Sequence, residues 1–354
     1  MTSIDNQLAG TPRQLGIVSR HAAIYIGAML LLLAMIFAGM CLGRYSVDVP
    51  RAMQIIWLSI LDPARPLDAI DERIIILVRV PRVLLAAFAG AALAASGAAL
   101  QGVFRNPLVS PQVLGISQGA AFGGAIAILL GVWGLPLLAI VFFCGLAALA
   151  LVGFLARIDG RTEIVTVILS GMIVGAMFSA LVSLIQFLAD PNGPLPAIVY
   201  WLMGSFASTT WERAAIAVPG LVIGMVFLWA MRFRLNILSL DEAEARSLGA
   251  KPELERWLIF ALVALIVGSQ VAVSGIVGWI GLVIPHATRL LVGHDHRRLL
   301  PVSMLLGAAY LVAVDTIART ATSAEIPLGV LTALVGAPVF AMLLRHHYRE
   351  RNAA

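Results

Sequence analysis

The chain has 354 residues, of which 60% are apolar and only 12% are charged, and its mean hydropathy is +0.97. A soluble domain needs a charged exterior, so this composition excludes one and predicts that most of the protein faces lipid. The net charge of +5 then reports orientation in a membrane, and it does not indicate nucleic-acid binding.

Long apolar runs predict the transmembrane segments, because a helix needs about 20 apolar residues to cross a bilayer. The chain contains ten such runs: 22–43, 83–104, 113–131, 135–156, 163–189, 213–231, 256–274, 277–292, 299–318 and 328–344. We therefore predict an all-α polytopic membrane protein with ten transmembrane helices. They form a single domain, 22–346, between an N-terminal tail, 1–21, and a C-terminal tail, 347–354.

The positive-inside rule gives the expected orientation. With the N-terminus in the cytoplasm, most arginines fall on the cytoplasmic side, and ten spans place both termini there. The exceptions are Arg213, Arg319 and six arginines in the outside segment 44–82. These misplaced cations suggest a specific use outside the membrane.

The second run begins after Pro81, a residue suited to the first turn of a helix. Its Ser96-Gly97 pair has a faint counterpart in Ser274-Gly275 of the seventh run, and each pair precedes a Leu-Val-X-Pro sequence. The two spans run in opposite directions, so the similarity predicts an inverted repeat, which is common in transporters.

The fifth run carries a stripe of uncharged polar residues, and two more follow the start of the third run. Their spacing is expected to keep the stripe near one helix face. Such side chains suit a hydrated path that does not trap charge, although hydrogen bonds between helices explain them equally well. The candidate path residues are Ser117, Gln118, Thr166, Ser170, Ser179, Ser183 and Gln186.

Segment 236–251 lies on the cytoplasmic side and is too polar to cross the membrane. Ser239 or Asp241 can cap a short helix there, and Gly249 ends it. An amphipathic helix between two spans fits docking to a cytoplasmic protein, and a linker lying on the membrane is the alternative. The candidate coupling residues are Leu240, Asp241, Glu242, Ala245, Arg246, Leu248 and Gly249.

The sequence contains no phosphate-binding loop and no zinc-protease motif. Asp315 is the main candidate for carrying a coupling ion, but it lies four residues before Arg319, and we expect the two to pair. The sequence from His294 to His296 indicates a polar turn, and no metal site is predicted. Energy for transport must then come from an ion gradient or from a partner ATPase.

An ordered series of motifs resembles the FecCD permease family over residues 20–346. These proteins are membrane subunits of type II ABC importers for iron-siderophores, haem and cobalamin. The motifs are Arg79-Val80-Pro81-Arg82, Arg105-Asn106-Pro107-Leu108-Val109-Ser110-Pro111, Leu114-Gly115-Ile116-Ser117-Gln118-Gly119, Trp201-Leu202-Met203-Gly204-Ser205-Phe206, Gly281-Leu282-Val283-Ile284-Pro285-His286 and Glu325-Ile326-Pro327-Leu328-Gly329.

The resemblance implies a homodimer with the type II ABC importer permease fold in the bacterial inner membrane. Two cytoplasmic ATPase subunits, which bind ATP and Mg²⁺, would grip the 238–249 helices, and this chain would hold no cofactor itself. A periplasmic binding protein would pair its glutamates with Arg79, Arg82 and Arg319. The chain departs from the family at Asp241, where relatives usually have Gly. The resemblance therefore does not fix the residue at which the coupling helix begins.

The resemblance implies a metal chelate as cargo. An iron siderophore is favoured because the fifth span has no arginine to meet haem propionates, and haem and cobalamin are the alternatives. Two other functions remain open. A secondary transporter would need only an ion gradient, and a receptor-like scaffold would bind a partner without moving solute. ATP-dependence of uptake in vesicles separates the first from an ABC importer.

Overall fold

The computed structural model describes residues 12–45, 47–63, 65–158 and 161–353. Over these residues the chain is mostly helical. The α-helices are α1 (Pro12–Cys41), α2 (Val49–Leu61), α3 (Ile70–Arg73), α4 (Val80–Val103), α5 (Ile116–Leu129), α6 (Leu135–Ala156), α7 (Ile164–Leu188), α8 (Pro194–Leu202), α9 (Trp211–Ala230), α10 (Arg232–Leu238), α11 (Glu242–Ser247), α12 (Pro252–Ser274), α13 (Ile280–Val292), α14 (His296–Thr320) and α15 (Leu328–Ala353).

Three short elements complete the described structure. A π-helical turn, Ile74–Arg79, joins α3 to α4, and a 3-10 turn, Pro111–Leu114, precedes α5. The strands β1 (Arg157–Ile158) and β2 (Arg161–Thr162) pair antiparallel, with Arg157 opposite Thr162.

Each of the ten predicted apolar runs contains one helix, which confirms an all-helical membrane fold. Among the described residues, seven helical segments are long and apolar enough to cross a membrane: Arg20–Cys41, Ile70–Val103, α6, α7, α9, α12 and α14. The helices in the third, eighth and tenth runs are apolar but shorter, as is α2. The structure therefore supports seven spans by length, and ten remains a prediction.

The second span begins earlier than the sequence suggested. Its helix is continuous from Ile70 to Val103, whereas the apolar run begins at 83. Pro81 has no backbone N–H to donate, and in the π-helical turn this leaves the Ile76 carbonyl without its usual partner. The Trp211 indole donates to that carbonyl at 2.8 Å, so the helix passes through Pro81 without ending.

Helix α4 forms the centre of the bundle, and glycines let its neighbours approach closely. A Cβ on Gly90 would lie 2.2 Å from the Gly307 carbonyl oxygen of α14, and one on Gly97 would lie 1.8 Å from that of Gly281 in α13. Small residues at such contacts let the helix backbones approach closely. By contrast, α1, α7 and α9 keep wide apolar faces exposed.

The bundle has two polar ends. At the α11 end, Arg105 in the loop after α4 contacts Asp241, and Asn236 of α10 donates to Asp295 at 2.7 Å. At the α2 end, the chain around Cys41 and Tyr45 surrounds Arg79, and the loop between α14 and α15 approaches the start of α4. The predicted coupling residues and docking arginines lie at these opposite ends.

Candidate functional site

The predicted coupling segment forms two short helices, α10 and α11, joined at Ser239–Asp241. Asp241 occupies the N-cap position of α11 with extended backbone angles, φ −63° and ψ 152°, which any residue adopts, although its side chain makes no capping hydrogen bond. These angles do not require a glycine at this position. Gly249 has φ +77° just after α11 and ends it, as predicted.

Ion pairs connect α11 to two core helices. Asp241 accepts from Arg105, which follows α4, and Glu242 accepts from Arg256 of α12 at 3.1 Å and from Arg246 at 2.6 Å. Burial raises the pKa of Glu242, but the hydrogen bonds from Arg256 and Arg246 outweigh this effect and hold it below its ordinary value. Side-chain contacts therefore link α11 to the loop after α4 and to α12.

The outer surface of α11 remains open. Ala245 is buried against the bundle, whereas Leu248 is 56% exposed and Arg246 is exposed beside it. Leu240 is half-buried at the helix start. An exposed leucine next to charged side chains agrees with docking of a protein, which stays a prediction.

The structure brings the three predicted docking arginines together at the α2 end. Asp315 contacts Arg82 at 2.8 Å and Arg319 at 3.7 Å, so the predicted Asp315–Arg319 pair is confirmed. A Cβ on Gly43 would lie within 3.4 Å of both Arg79 and Arg319. The three guanidinium groups therefore share one cluster.

None of these arginines is presented to solvent in this structure. Arg79 donates to the backbone carbonyls of Met40, at 2.6 Å, and Cys41, at 2.9 Å, and Arg319 donates to Gly39. All three are less than 7% exposed. A partner could bind these guanidinium groups only if they first gave up some of their hydrogen bonds to carbonyls and carboxylates of this chain.

Glu325 is a functional candidate for which the sequence alone suggests no role, although it begins the motif Glu325-Ile326-Pro327-Leu328-Gly329. Its carboxylate accepts two hydrogen bonds from Arg82, at 3.0 and 2.8 Å. Burial raises the pKa of Glu325, but the hydrogen bonds and charge of Arg82 outweigh this effect and hold the pKa below its ordinary value. The two residues are 243 positions apart. No local pattern connects such residues, so only the folded chain identifies the pair.

The polar stripe on α7 does not lie on one face, and that expectation is wrong. Ser170 is buried, whereas Ser179 and Ser183 are exposed. The step of nine residues between Ser170 and Ser179 corresponds to about two and a half helical turns, which places them on opposite sides. Ser179 and Ser183, with half-buried Gln186, form the part of the stripe that a path could use.

The other predicted path residues face the interior. Thr166 donates to the carbonyls of Ala156, at 3.1 Å, and Glu163, at 2.7 Å, which is the hydrogen-bonding alternative. Ser117 is buried, and half-buried Gln118 packs beside Gly175 of α7. Their role in a path remains a prediction.

The sequence from His294 to His296 forms a polar turn that starts α14. Asp295 accepts from the backbone N–H of Arg297 at 3.0 Å, and buried His296 lies between Asn236 and the Ala98 carbonyl. Among the described residues, no group of three or more His, Cys, Asp or Glu side chains is arranged to hold a metal ion.

Comparisons with known proteins identify a family and a solved structure that share this architecture. A family model described as the FecCD transport family matches residues 30–346. A solved structure of a metal-chelate type ABC transporter in an inward-facing conformation superimposes with a TM-score of 0.83. It is 42% identical and covers 92% of this chain and 99% of its own.

The relatives differ in what they carry. The molybdate import permease MolB of Haemophilus influenzae is 46% identical over 92% of this chain and 96% of its own length. A probable iron chelatin permease of Helicobacter pylori is 42% identical over 77% of this chain and 82% of its own. The match in sequence and fold spans nearly all of the helical bundle, so the chain belongs to the FecCD transport family, whose members are the membrane permeases of type II ABC importers.

Proposed function

We propose that this chain forms the transmembrane path of an importer that brings a metal-containing complex from the periplasm into the cytoplasm. It works as a homodimer of ten-span subunits in the bacterial inner membrane, with both termini and α11 in the cytoplasm. Cytoplasmic ATPase subunits bind ATP and Mg²⁺ and drive it, and a periplasmic binding protein delivers the cargo at the α2 end.

The observation that carries this proposal is the attachment of α11. Its inner side is tied to α4 and α12 through the pairs Arg105–Asp241 and Arg256–Glu242, while Leu248 remains exposed. A docked ATPase that moves α11 thereby moves two helices of the core. Tightly packed glycine contacts around α4 favour two discrete arrangements over a continuous deformation.

The binding protein delivers the cargo at the α2 end by exchanging one of its own carboxylates for a carboxylate of this chain at Arg82. Glu325 is the more exposed acid of the cluster, at 19% against 1% for Asp315. A glutamate of the binding protein can replace Glu325 at Arg82 while Asp315 keeps the arginine in place. Arg79 and Arg319 add positive charge that attracts the same acidic surface.

The candidate cargoes are an iron siderophore and the oxyanion molybdate, and haem and cobalamin are further alternatives because other relatives are named for them. An iron siderophore follows from the family resemblance and from relatives such as the iron chelatin permease, whereas identity to MolB favours molybdate. The candidate path side chains Ser179, Ser183 and Gln186 carry no fixed charge, which suits passage of either without strong retention.

The test is uptake by cells that express the full importer, with radiolabelled ferric siderophore and radiolabelled molybdate as separate probes. Leu248→Glu places a charge on the exposed face of α11. We expect it to reduce co-purification of the ATPase and uptake of the transported probe at least tenfold. Leu130→Glu, a matched change at a leucine of 69% exposure beyond α5, is the control and leaves both intact.

Two results would contradict the proposal. Uptake by the purified chain in vesicles under an ion gradient, without any ATPase, would establish a secondary transporter. Binding of the periplasmic protein with no uptake of either probe by the intact wild-type complex would establish a scaffold.

A further inference from the structure

A large groove lies between α6 and α12 at the α11 end. Its volume is about 990 Å³. Apolar residues form its floor and charged residues form its rim; the lining includes Leu146, Leu149, Gly153, Trp257, Arg157 and Lys251.

The floor of the groove has the length of one membrane leaflet. From Leu146 to Arg157, α6 rises about 16 Å, close to half of a ~30 Å hydrocarbon core. The exposed side chains of Leu146 and Leu254 line this groove. Gly153 makes room for Trp257, since a Cβ there would lie 3.1 Å from the indole, and a tryptophan at this level is typical of the lipid interface.

The rim carries three cations and one acid. Arg157 and Lys251 are exposed, and within the described part of the chain neither makes an ion pair. Arg246 completes the set, although Glu242 already contacts it at 2.6 Å. The acid, Glu253, accepts a hydrogen bond from Thr162 at 3.0 Å.

We propose that this groove binds one anionic phospholipid of the inner leaflet. Its acyl chains lie along α6 and α12, and its phosphate meets Arg157 and Lys251. The apolar length selects a lipid over a free phosphate, and the excess of cations selects an anionic headgroup over a zwitterionic one. Basic pockets between transmembrane helices on the cytoplasmic side characteristically hold such headgroups.

The position of this site links lipid to the docking helix. Lys251 and Arg246 flank the end of α11, and Arg157 belongs to the β1–β2 hairpin, which Thr162 ties to α12. A bound headgroup therefore braces the turn between α11 and α12 from the membrane side. This inference rests on the proposed orientation, which puts α11 in the cytoplasm, and it does not depend on which complex is imported.

Lipid retention by the full-length purified protein tests the site, measured by native mass spectrometry with added phosphatidylglycerol or phosphatidylcholine. Two basic side chains near a membrane surface together contribute a factor of roughly thirty in affinity for an anionic lipid. We expect Arg157→Ala with Lys251→Ala to weaken phosphatidylglycerol binding by about that factor and to leave phosphatidylcholine binding unchanged. Arg20→Ala with Arg345→Ala removes the same charge from exposed arginines elsewhere and has no effect.

A second measurement uses the wild-type groove and does not depend on folding of the double variant. Brominated phosphatidylglycerol quenches indole fluorescence on contact. We expect it to quench the wild type more than brominated phosphatidylcholine does, and Trp257→Phe to remove that difference. Persistence of the difference in Trp257→Phe, unchanged lipid affinity in the folded double variant, or full competition by inorganic phosphate would each overturn the proposal. If a partner protein binds and the lipid stays in the groove, the result supports the proposal.

Discussion

The two ends of the bundle use charge in opposite ways. At the α2 end, Arg82 and Asp315 are almost fully buried and satisfy each other within the protein. At the α11 end, Arg105 and Asp241 pair across an exposed surface, where the Asp241 side chain is 83% exposed. The first arrangement fixes three segments of the chain together, and the second leaves a charged helix free to meet another protein.

The difference shows that the energetic weight of an ion pair depends on solvent access. Water screens an exposed pair, so it contributes between about 0 and 1 kcal/mol. Removing one member of a buried pair leaves the other charge without water or partner, which costs about 3–5 kcal/mol. Substitution of a charged residue should therefore lower the free energy of unfolding far more at the α2 end than at the α11 end.

The largest effect is expected from Asp315→Ala. It leaves Arg82 with Glu325 alone and deprives Arg319 of its carboxylate. We expect the free energy of unfolding in detergent to fall by about 3–5 kcal/mol, measured by thermal or denaturant unfolding of the purified chain. An unchanged unfolding transition would mean that water already reaches this cluster.

An intermediate effect is expected from Glu325→Gln. The amide keeps one acceptor for Arg82, and Asp315 still holds the guanidinium, so we expect a loss of about 1–2 kcal/mol in the same unfolding measurement. Because the internal competitor for Arg82 loses its charge, the variant should also bind the periplasmic protein more tightly, measured by surface capture of the solubilised permease. Weaker binding would show that Glu325 itself contacts the binding protein.

The smallest effect on stability is expected from Asp241→Ala, the same substitution as at Asp315 but at the exposed end. We expect the free energy of unfolding to change by less than about 1 kcal/mol. Coupling between ATP hydrolysis and uptake should nevertheless weaken, because α11 loses its contact with the loop after α4. A destabilisation as large as that of Asp315→Ala would remove the distinction between the two ends.

Several features were predictable because they depend on short stretches of sequence. Apolar length predicted a helix in each of the ten runs, and turn chemistry predicted the end of α11 at Gly249. The spacing of four residues predicted the pairing of Asp315 with Arg319. Ordered motifs gave the family, which the comparisons confirmed over residues 30–346.

Helical phase was predictable in principle but was misjudged. A nine-residue step is two and a half turns, so Ser170 and Ser179 could never share a face of α7. Which of the two faces the interior was a different matter. It was decided by Gly171 and Gly175, which allow the chain around Gly115 and Gln118 to pack on that side.

The sequence by itself determined that this protein is a helical membrane permease, because hydropathy and motifs are properties of neighbouring residues. Only the tertiary structure decided the partners of its charged groups. Arg82 meets Asp315 and Glu325 across more than 230 positions, and the basic groove forms where α6 and α12 converge. Such contacts arise when helices pack, and the spacing of residues along the chain carries no record of that packing.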